Sequence, residues 1–472
     1  MRSENDTGET ESQTRYDTRY VWMISLVAAL GGLLFGYDWV VIGGAKPFYE
    51  KFFELRDPAR QGWAMSCALI GCMLGALASG ALSDRFGRKR LLILSASIFA
   101  VSSIGTAMAL KFDQFVMWRI LGGVAIGLAS NLSPMYIAEV SPAENRGKLV
   151  SINQLTIVIG ILLAQTSNWL IARPVAPEAT AQDILISWNG QTGWRWMFGV
   201  TAVPSLLFFA GMFAVPESPR WLAKNGKHQK ARSILARIGG EVYANRAIAE
   251  IEATLADEIE KVNFKDLLAR KMVGILGLGI ALAVFQQWCG INVIFNYAEE
   301  VFSAAGYKVS DILLNIVITG AVNLIFTFVA MATVDRAGRR ILMLVGAAGL
   351  AVIYTLLGAG YRLHSQGPHM LLLVVGAIGF YACSLAPVTW VVISEIFPNR
   401  IRGAAMSVAV TSLWAACFIL TYTFPLLNRN LGPANTFWIY AAICVLGFLL
   451  IKLRLPETKG RTLEEIELEL VD

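Results

Sequence analysis

Asp84-Arg85-Phe86-Gly87-Arg88-Lys89-Arg90 stands between two apolar runs, and Asp335-Arg336-Ala337-Gly338-Arg339-Arg340 stands between two more, 251 residues further on. A short charged turn built around a glycine, set between stretches with almost no charge, marks a chain that leaves an apolar medium and re-enters it at once. The repeat is not solitary. Glu139 followed by Arg146-Gly147 returns as Glu395 followed by Arg402-Gly403, 256 residues later. Pro216-Glu217-Ser218-Pro219 has a looser echo in Pro456-Glu457-Thr458-Lys459. Three matches in one order at similar offsets predict two related halves that meet around a central site.

Composition agrees with the setting of those turns. Of 472 residues, 16% are charged and 56% hydrophobic, and the mean hydropathy is +0.55. A soluble domain carries about 25% charged residues, so this chain is short of wettable surface. A helix crosses the hydrocarbon layer with about 20 apolar residues. Runs of that length fall near 21–44, 63–82, 91–110, 115–138, 149–172, 195–215, 272–296, 311–334, 341–361, 370–394, 404–425 and 436–453. They are too long and too evenly apolar for the strands of about ten alternating residues in a transmembrane barrel. The expected fold is an all-α polytopic membrane protein of twelve transmembrane helices in two six-helix halves. Residues 1–19 read as a disordered cytosolic tail, 20–218 as the first half, 219–270 as a charged cytosolic helical linker, 271–455 as the second half and 456–472 as a cytosolic tail.

The first twenty residues are polar and of mixed charge, without the apolar core of a cleavable signal. The six cysteines (Cys67, Cys72, Cys289, Cys383, Cys417 and Cys444) fall inside spans without ligand spacing and read as small buried hydrophobes. The Asp84 and Asp335 clusters, with Lys452, Arg454, Lys459 and Arg461, lie on one side of a twelve-span chain, and the positive-inside bias makes that side cytoplasmic. The net charge of +6 therefore answers to orientation in a lipid bilayer, and no nucleic acid is expected. The first outer loop, with Lys46, Lys51, Arg56 and Arg60 against Glu50, Glu54 and Asp57, supports that orientation poorly.

Within this frame the polar residues stand out. Glu139, Arg146, Glu395 and Arg402, with the clusters of Asp84 and Arg88 and of Asp335 and Arg339, are placed to form ion pairs linking helices at the inner mouth. Such pairs hold one conformation and release in another. Their plainer reading is topology and solubility alone. Asp38 closes Gly31-Gly32-Leu33-Leu34-Phe35-Gly36-Tyr37-Asp38 deep in the first span, where a charge costs about 3 kcal/mol. Arg119 in the fourth span offers the opposite charge. Pairing favours the carboxylate and dehydration the neutral acid, so Asp38 is a candidate proton carrier; the alternative is a static pair. Gln286, Gln287, Asn292, Asn296 and Tyr297, with Gln154, Gln165 and Asn323, put neutral polar groups in apolar surroundings, and Trp390 and Trp414 add flat rings. Uncharged amides beside aromatic platforms suit a polyhydroxylated solute. Stapling helices together is the alternative for any single amide, but it fits the whole set poorly.

These residues and motifs resemble the sugar porter family of the major facilitator superfamily, from Tyr20 to Glu465. Within it, the resemblance is to bacterial xylose–proton symporters and animal glucose facilitators. It rests on Asp84–Arg90, Pro134–Glu139, Arg146-Gly147, Pro216–Leu222, Gln286–Asn292, Asp335–Arg340, Glu395–Arg402 and Pro456–Gly460. The resemblance implies sugar contacts at Gln154, Gln286, Gln287, Asn292, Asn323 and Trp390, with Phe35 and Trp414 as walls of the pocket. It places Asp38 where symporters keep a proton-accepting aspartate, with Arg119 opposite. It implies an outer gate at Asn296 and Tyr297, although Asn296 stands where a tyrosine is usual. Ile161 and Leu413 stand where polar residues are usual, and Ala386 replaces a usual glycine. The expected activity is proton-coupled import of a pentose or hexose. The proton is the coupling ion, and neither cofactor, metal nor obligate protein partner is expected. The expected site is the inner membrane of a bacterium, with both termini cytosolic. A sugar uniporter is the nearest alternative, and a nontransporting sugar sensor or a membrane enzyme lies further off: His228, His364 and His369 fall outside the spans.

Overall fold

The computed structural model describes residues 16–176, 179–257, 270–397 and 402–459, without the side chains at 256–257, 270–271, 309–310, 334–335 and 402–404. The described residues form helices and turns and no strand. The N-terminal half of the chain contains α1 (Thr18–Phe52), α2 (Pro58–Phe86), α3 (Arg88–Met108), α4 (Phe112–Val140), α5 (Arg146–Ile171) and α6, which spans Asn189–Ala214 and opens on a π-helical turn. Two polar helices follow, α7 (Pro219–Lys224) and α8 (His228–Asp257), the latter broken at Gly239-Gly240. The C-terminal half of the chain contains α9 (Arg270–Trp288), α10 (Ile291–Asn296), α11 (Ala298–Ala304), α12 (Val309–Ala337), α13 (Arg339–Arg362), α14 (Pro368–Cys383), α15 (Leu385–Ile396) and α16 (Arg402–Arg454).

Among the described residues, eleven helices are long and apolar enough to cross a bilayer. The twelve expected runs differ from this at one place. Runs 404–425 and 436–453 share α16, whose backbone turns out of helix only at Gly432 (φ 76°, ψ 165°). The start of the expected N-terminal tail, positions 258–269 of the linker and the tail beyond Lys459 lie outside the described residues.

Glycines set how closely the helices approach. A methyl group on Gly36 would lie 1.8 Å from the Ile157 carbonyl oxygen, and one on Gly160 2.1 Å from that of Leu33, so α1 and α5 touch backbone to backbone. Gly71, Gly75, Gly123 and Gly127 do the same between α2 and α4, at 2.0–2.2 Å. With lipid as apolar as the side chains, such close contact supplies van der Waals attraction that solvent exclusion does not.

The repeated turns have the same construction in both halves. Gly87 and Gly338 each adopt φ 92°, and α3 and α13 begin immediately after them. The Glu217 carboxylate accepts the backbone N–H groups of Arg88 and Lys89, each at 3.0 Å. Glu457 accepts those of Arg339 at 2.9 Å and Arg340 at 3.2 Å. A carboxylate at a helix start satisfies orphan donors and meets the positive end of the dipole. The echo between Pro216–Pro219 and Pro456–Lys459 thus has a shared structural cause.

Candidate functional site

Asp38 and Arg119 come together from α1 and α4, 6% and 5% exposed, and the guanidinium Nη1 donates to the carboxylate. Arg119 Nε is buried with no hydrogen bond, and the guanidinium lies 5.4 Å from the centre of the Phe198 ring. The pair opens on a small pocket lined also by Trp39, Met65, Cys72 and, from the second half, Asn296. The aspartate therefore faces the seam between the halves.

The amide cluster owes its geometry to Gly290. α9 stops at Trp288, Gly290 takes a left-handed φ of 89°, and α10 begins at Ile291. Any side chain there is strained, and its Cβ would sit 2.9 Å from the Tyr440 ring. The break folds Asn292 back on the glutamines. Asn292 Nδ2 donates to Gln287 Oε1, Gln287 Nε2 to Gln286 Oε1, and Gln286 Nε2 to the Tyr381 hydroxyl at 2.7 Å. All three amide residues are buried, at 4–6% exposed. Tyr381 escaped the sequence reading because a tyrosine in an apolar run is unremarkable. Trp288 Nε1 donates to the Ala416 carbonyl at 2.9 Å and ties the broken helix to α16.

Three rings bridge the halves. Phe35 lies 5.7 Å from Trp39 and 5.8 Å from Trp414, and Trp39 lies 6.1 Å from Trp414. Gln154 on α5 is half-buried, Asn323 on α12 is buried, and Trp390 on α15 is 37% exposed. Among the described residues, no hydrogen bond or ring contact joins these three side chains to the amide chain or the ring triangle.

The charged turns pair within each half. Arg88 Nη2 lies 3.0 Å from Glu139 Oε1, and Ser218 Oγ also donates to Glu139. Arg339 Nη2 lies 3.5 Å from Glu395 Oε1, and Thr458 Oγ1 donates to Glu395 Oε2 at 2.6 Å. Asp84 pairs with Arg88 at 3.4 Å and with Lys224 at 3.1 Å. Arg146 is exposed and has no ion pair among the described residues; Glu139 has turned to Arg88 instead. The side chains of Asp335 and Arg402 are outside the description.

At the opposite end, Tyr297 donates to the Thr421 carbonyl at 2.6 Å and its ring centre lies 4.6 Å from that of Phe424. Asn296 is 4% exposed with Oδ1 unpartnered. The expected first outer loop is corrected here: α1 continues to Phe52, and Lys46 and Glu50 are helical and buried, at 3% and 7%. Lys46 finds carboxylates in the second half, Glu299 at 3.4 Å and Glu300 at 2.5 Å. Long-range partners of this kind leave no mark in local sequence.

The bundle of long apolar helices carries a charge pair and an amide chain where the two halves of the chain meet, and the family it matches makes it a membrane transporter, not an enzyme. The chain belongs to the sugar (and other) transporter family, whose model matches residues 24–470, within the major facilitator superfamily. It is 40% identical to the D-xylose-proton symporter of Escherichia coli (strain K12), over 96% of each chain. It is 39% identical to the arabinose-proton symporter of Bacillus subtilis (strain 168), covering 95% of this chain and 94% of that one. An inward open, partially occluded structure of the E. coli xylose transporter XylE matches with a TM-score of 0.83 at 37% identity, over 94% of this chain and 100% of the other. The proton:xylose symporter XylE bound to 6-bromo-6-deoxy-D-glucose matches with a TM-score of 0.80 at 39% identity, over 96% and 100%.

Proposed function

We propose that this protein imports a pentose or hexose with a proton across a bacterial inner membrane, by alternating access. In this reading twelve spans form two six-helix halves, Gly432 ends the eleventh, and both termini and the Asp84 and Asp335 turns are cytosolic. The observation that carries it is the buried Asp38–Arg119 pair, open to a pocket that the second half completes through Asn296. A proton on Asp38 weakens its attraction to Arg119 and lowers the cost of enclosing the site. Sugar then docks between the halves, its hydroxyls exchanging with the bonds among Gln286, Gln287 and Asn292, and with Gln154, Asn323 and Trp390 completing the pocket. Phe35 and Trp414 give its C–H faces an apolar wall. Relatives named for xylose and arabinose support a pentose as first choice, and a glucose transport protein from Synechocystis, 39% identical, keeps hexoses in the panel.

A potential of about 100 mV supplies about 2.3 kcal/mol per charge moved, enough for roughly 50-fold accumulation. Proteoliposome counterflow of labelled pentoses and hexoses identifies the sugar, and alkalinisation of the medium on sugar addition reports the proton. Asp38→Asn is expected to keep equilibrium exchange and lose uphill accumulation. Accumulation that survives the substitution would leave Asp38 a structural residue and the protein a uniporter.

A further inference from the structure

Lys46 carries one positive charge, and three carboxylates surround it. Glu50 lies 3.1 Å away on its own helix, with Glu299 and Glu300 across the seam on α11. The lysine is 3% exposed in its side chain, Glu50 8%, Glu300 22% and Glu299 24%. Glu50 Oε1 and Glu300 Oε2 are buried and accept no hydrogen bond. The remaining neighbours add little positive charge. On α1 these are Tyr49 and the half-buried Lys51. From α2, Gln61 reaches Glu50 at 3.4 Å, and the Tyr297 ring lies 5.9 Å from the ammonium. With every carboxyl ionised, the four side chains hold a net charge of two negatives in a partly buried space. Desolvation opposes such an excess strongly, and a proton on one carboxyl relieves it while giving an unpartnered oxygen a donor to offer.

We propose that these four residues are a second proton-binding site: the mouth at this end closes as Lys46 enters between Glu299 and Glu300, and one carboxyl takes a proton from the adjoining water. On opening, α11 withdraws, Lys46 keeps Glu50 as its counter-ion, and the two freed glutamates meet water and release the proton to the side it came from. The site therefore biases the mouth with pH and adds nothing to the number of protons carried across. Burial holds the Glu300 carboxyl above the usual carboxylate range, against the pull of Lys46. The sign follows: a group with a higher pKa in the closed state is protonated there first, so acid closes this mouth and alkali opens it.

The inference rests on the alternating-access reading above but needs no sugar to test it. Spin labels on Arg56→Cys and Ser303→Cys, both exposed on either side of the mouth, report its width in the full-length protein in lipid nanodiscs. The measurement is made in an Asp38→Asn background so that the other carboxylate is silent. The open-to-closed ratio is expected to rise with pH by up to about tenfold per unit, the limit for one proton. Glu300→Gln combined with Glu299→Gln is expected to abolish the response. Lys46→Gln, which removes the charge that favours ionisation, is expected to move the midpoint to higher pH. A width independent of pH, or a response undiminished in the double glutamine variant, overturns the proposal. Failure of every sugar in counterflow would overturn the transport reading while leaving this result standing.

Discussion

A tyrosine hydroxyl terminates the amide chain, and its removal isolates one contribution to the site. Tyr381→Phe leaves Gln286 Nε2 without its acceptor, a change of about 1 kcal/mol, and is expected to raise the sugar concentration for half-maximal counterflow about fivefold. Gln287→Ala severs both the bond it gives and the bond it accepts. The loss of about 1–3 kcal/mol is expected to weaken sugar use roughly 5- to 150-fold at unchanged protein yield. Gln286, Gln287 and Asn292 stood out in the sequence because three amides fall close together in an otherwise apolar run. Tyr381 did not, since its hydroxyl matters only through a neighbour 95 positions away. Lys46 and Glu50 were misread for a related reason: charges near the end of an apolar run look like a loop until a partner from the other half is in place.

Among the elements, the α1–α5 seam tolerates no added atom at its closest points. Gly36→Ala places a methyl group against the Ile157 carbonyl, with no flexible side chain to give way. The helices must separate, and a melting temperature lowered by several degrees, or loss of folded protein, is expected in a thermal shift assay in detergent; Gly80→Ala, in open space, serves as the control. The hooks at Glu217 and Glu457 are open to a gentler test. Glu457→Gln keeps an acceptor for Arg339 and Arg340 and removes the charge facing the start of α13, worth about 0.3–1 kcal/mol, so a small drop in melting temperature is expected. Helix positions were readable from apolar length almost throughout. The last two runs fused in α16 because the segment between them stays helical except at Gly432, despite Pro425 and Pro433, and run length alone does not reveal whether a connection has its own turn.

Across the whole molecule, the ion pairs divide by location. At the end bearing the Asp84 turn, the described pairs tie helices within a half; those that cross between halves, Lys46 with Glu299 and Glu300, sit at the other end. The shared construction of the charged turns was legible because they repeat in order. Which pairs cross was not, because the repeats concern each half alone, and the Lys46 cluster belongs to neither repeat.

That uneven distribution has a consequence for pharmacology. With one mouth fastened across the seam and the other held by no described charge pair across it, the two faces of the membrane do not meet the same protein. In the proposed orientation, a glycoside with a head that fits the amide pocket and a tail too bulky to be carried should lodge more readily from the face that bears the Asp84 turn. It should therefore block inside-out vesicles at a lower dose than right-side-out vesicles.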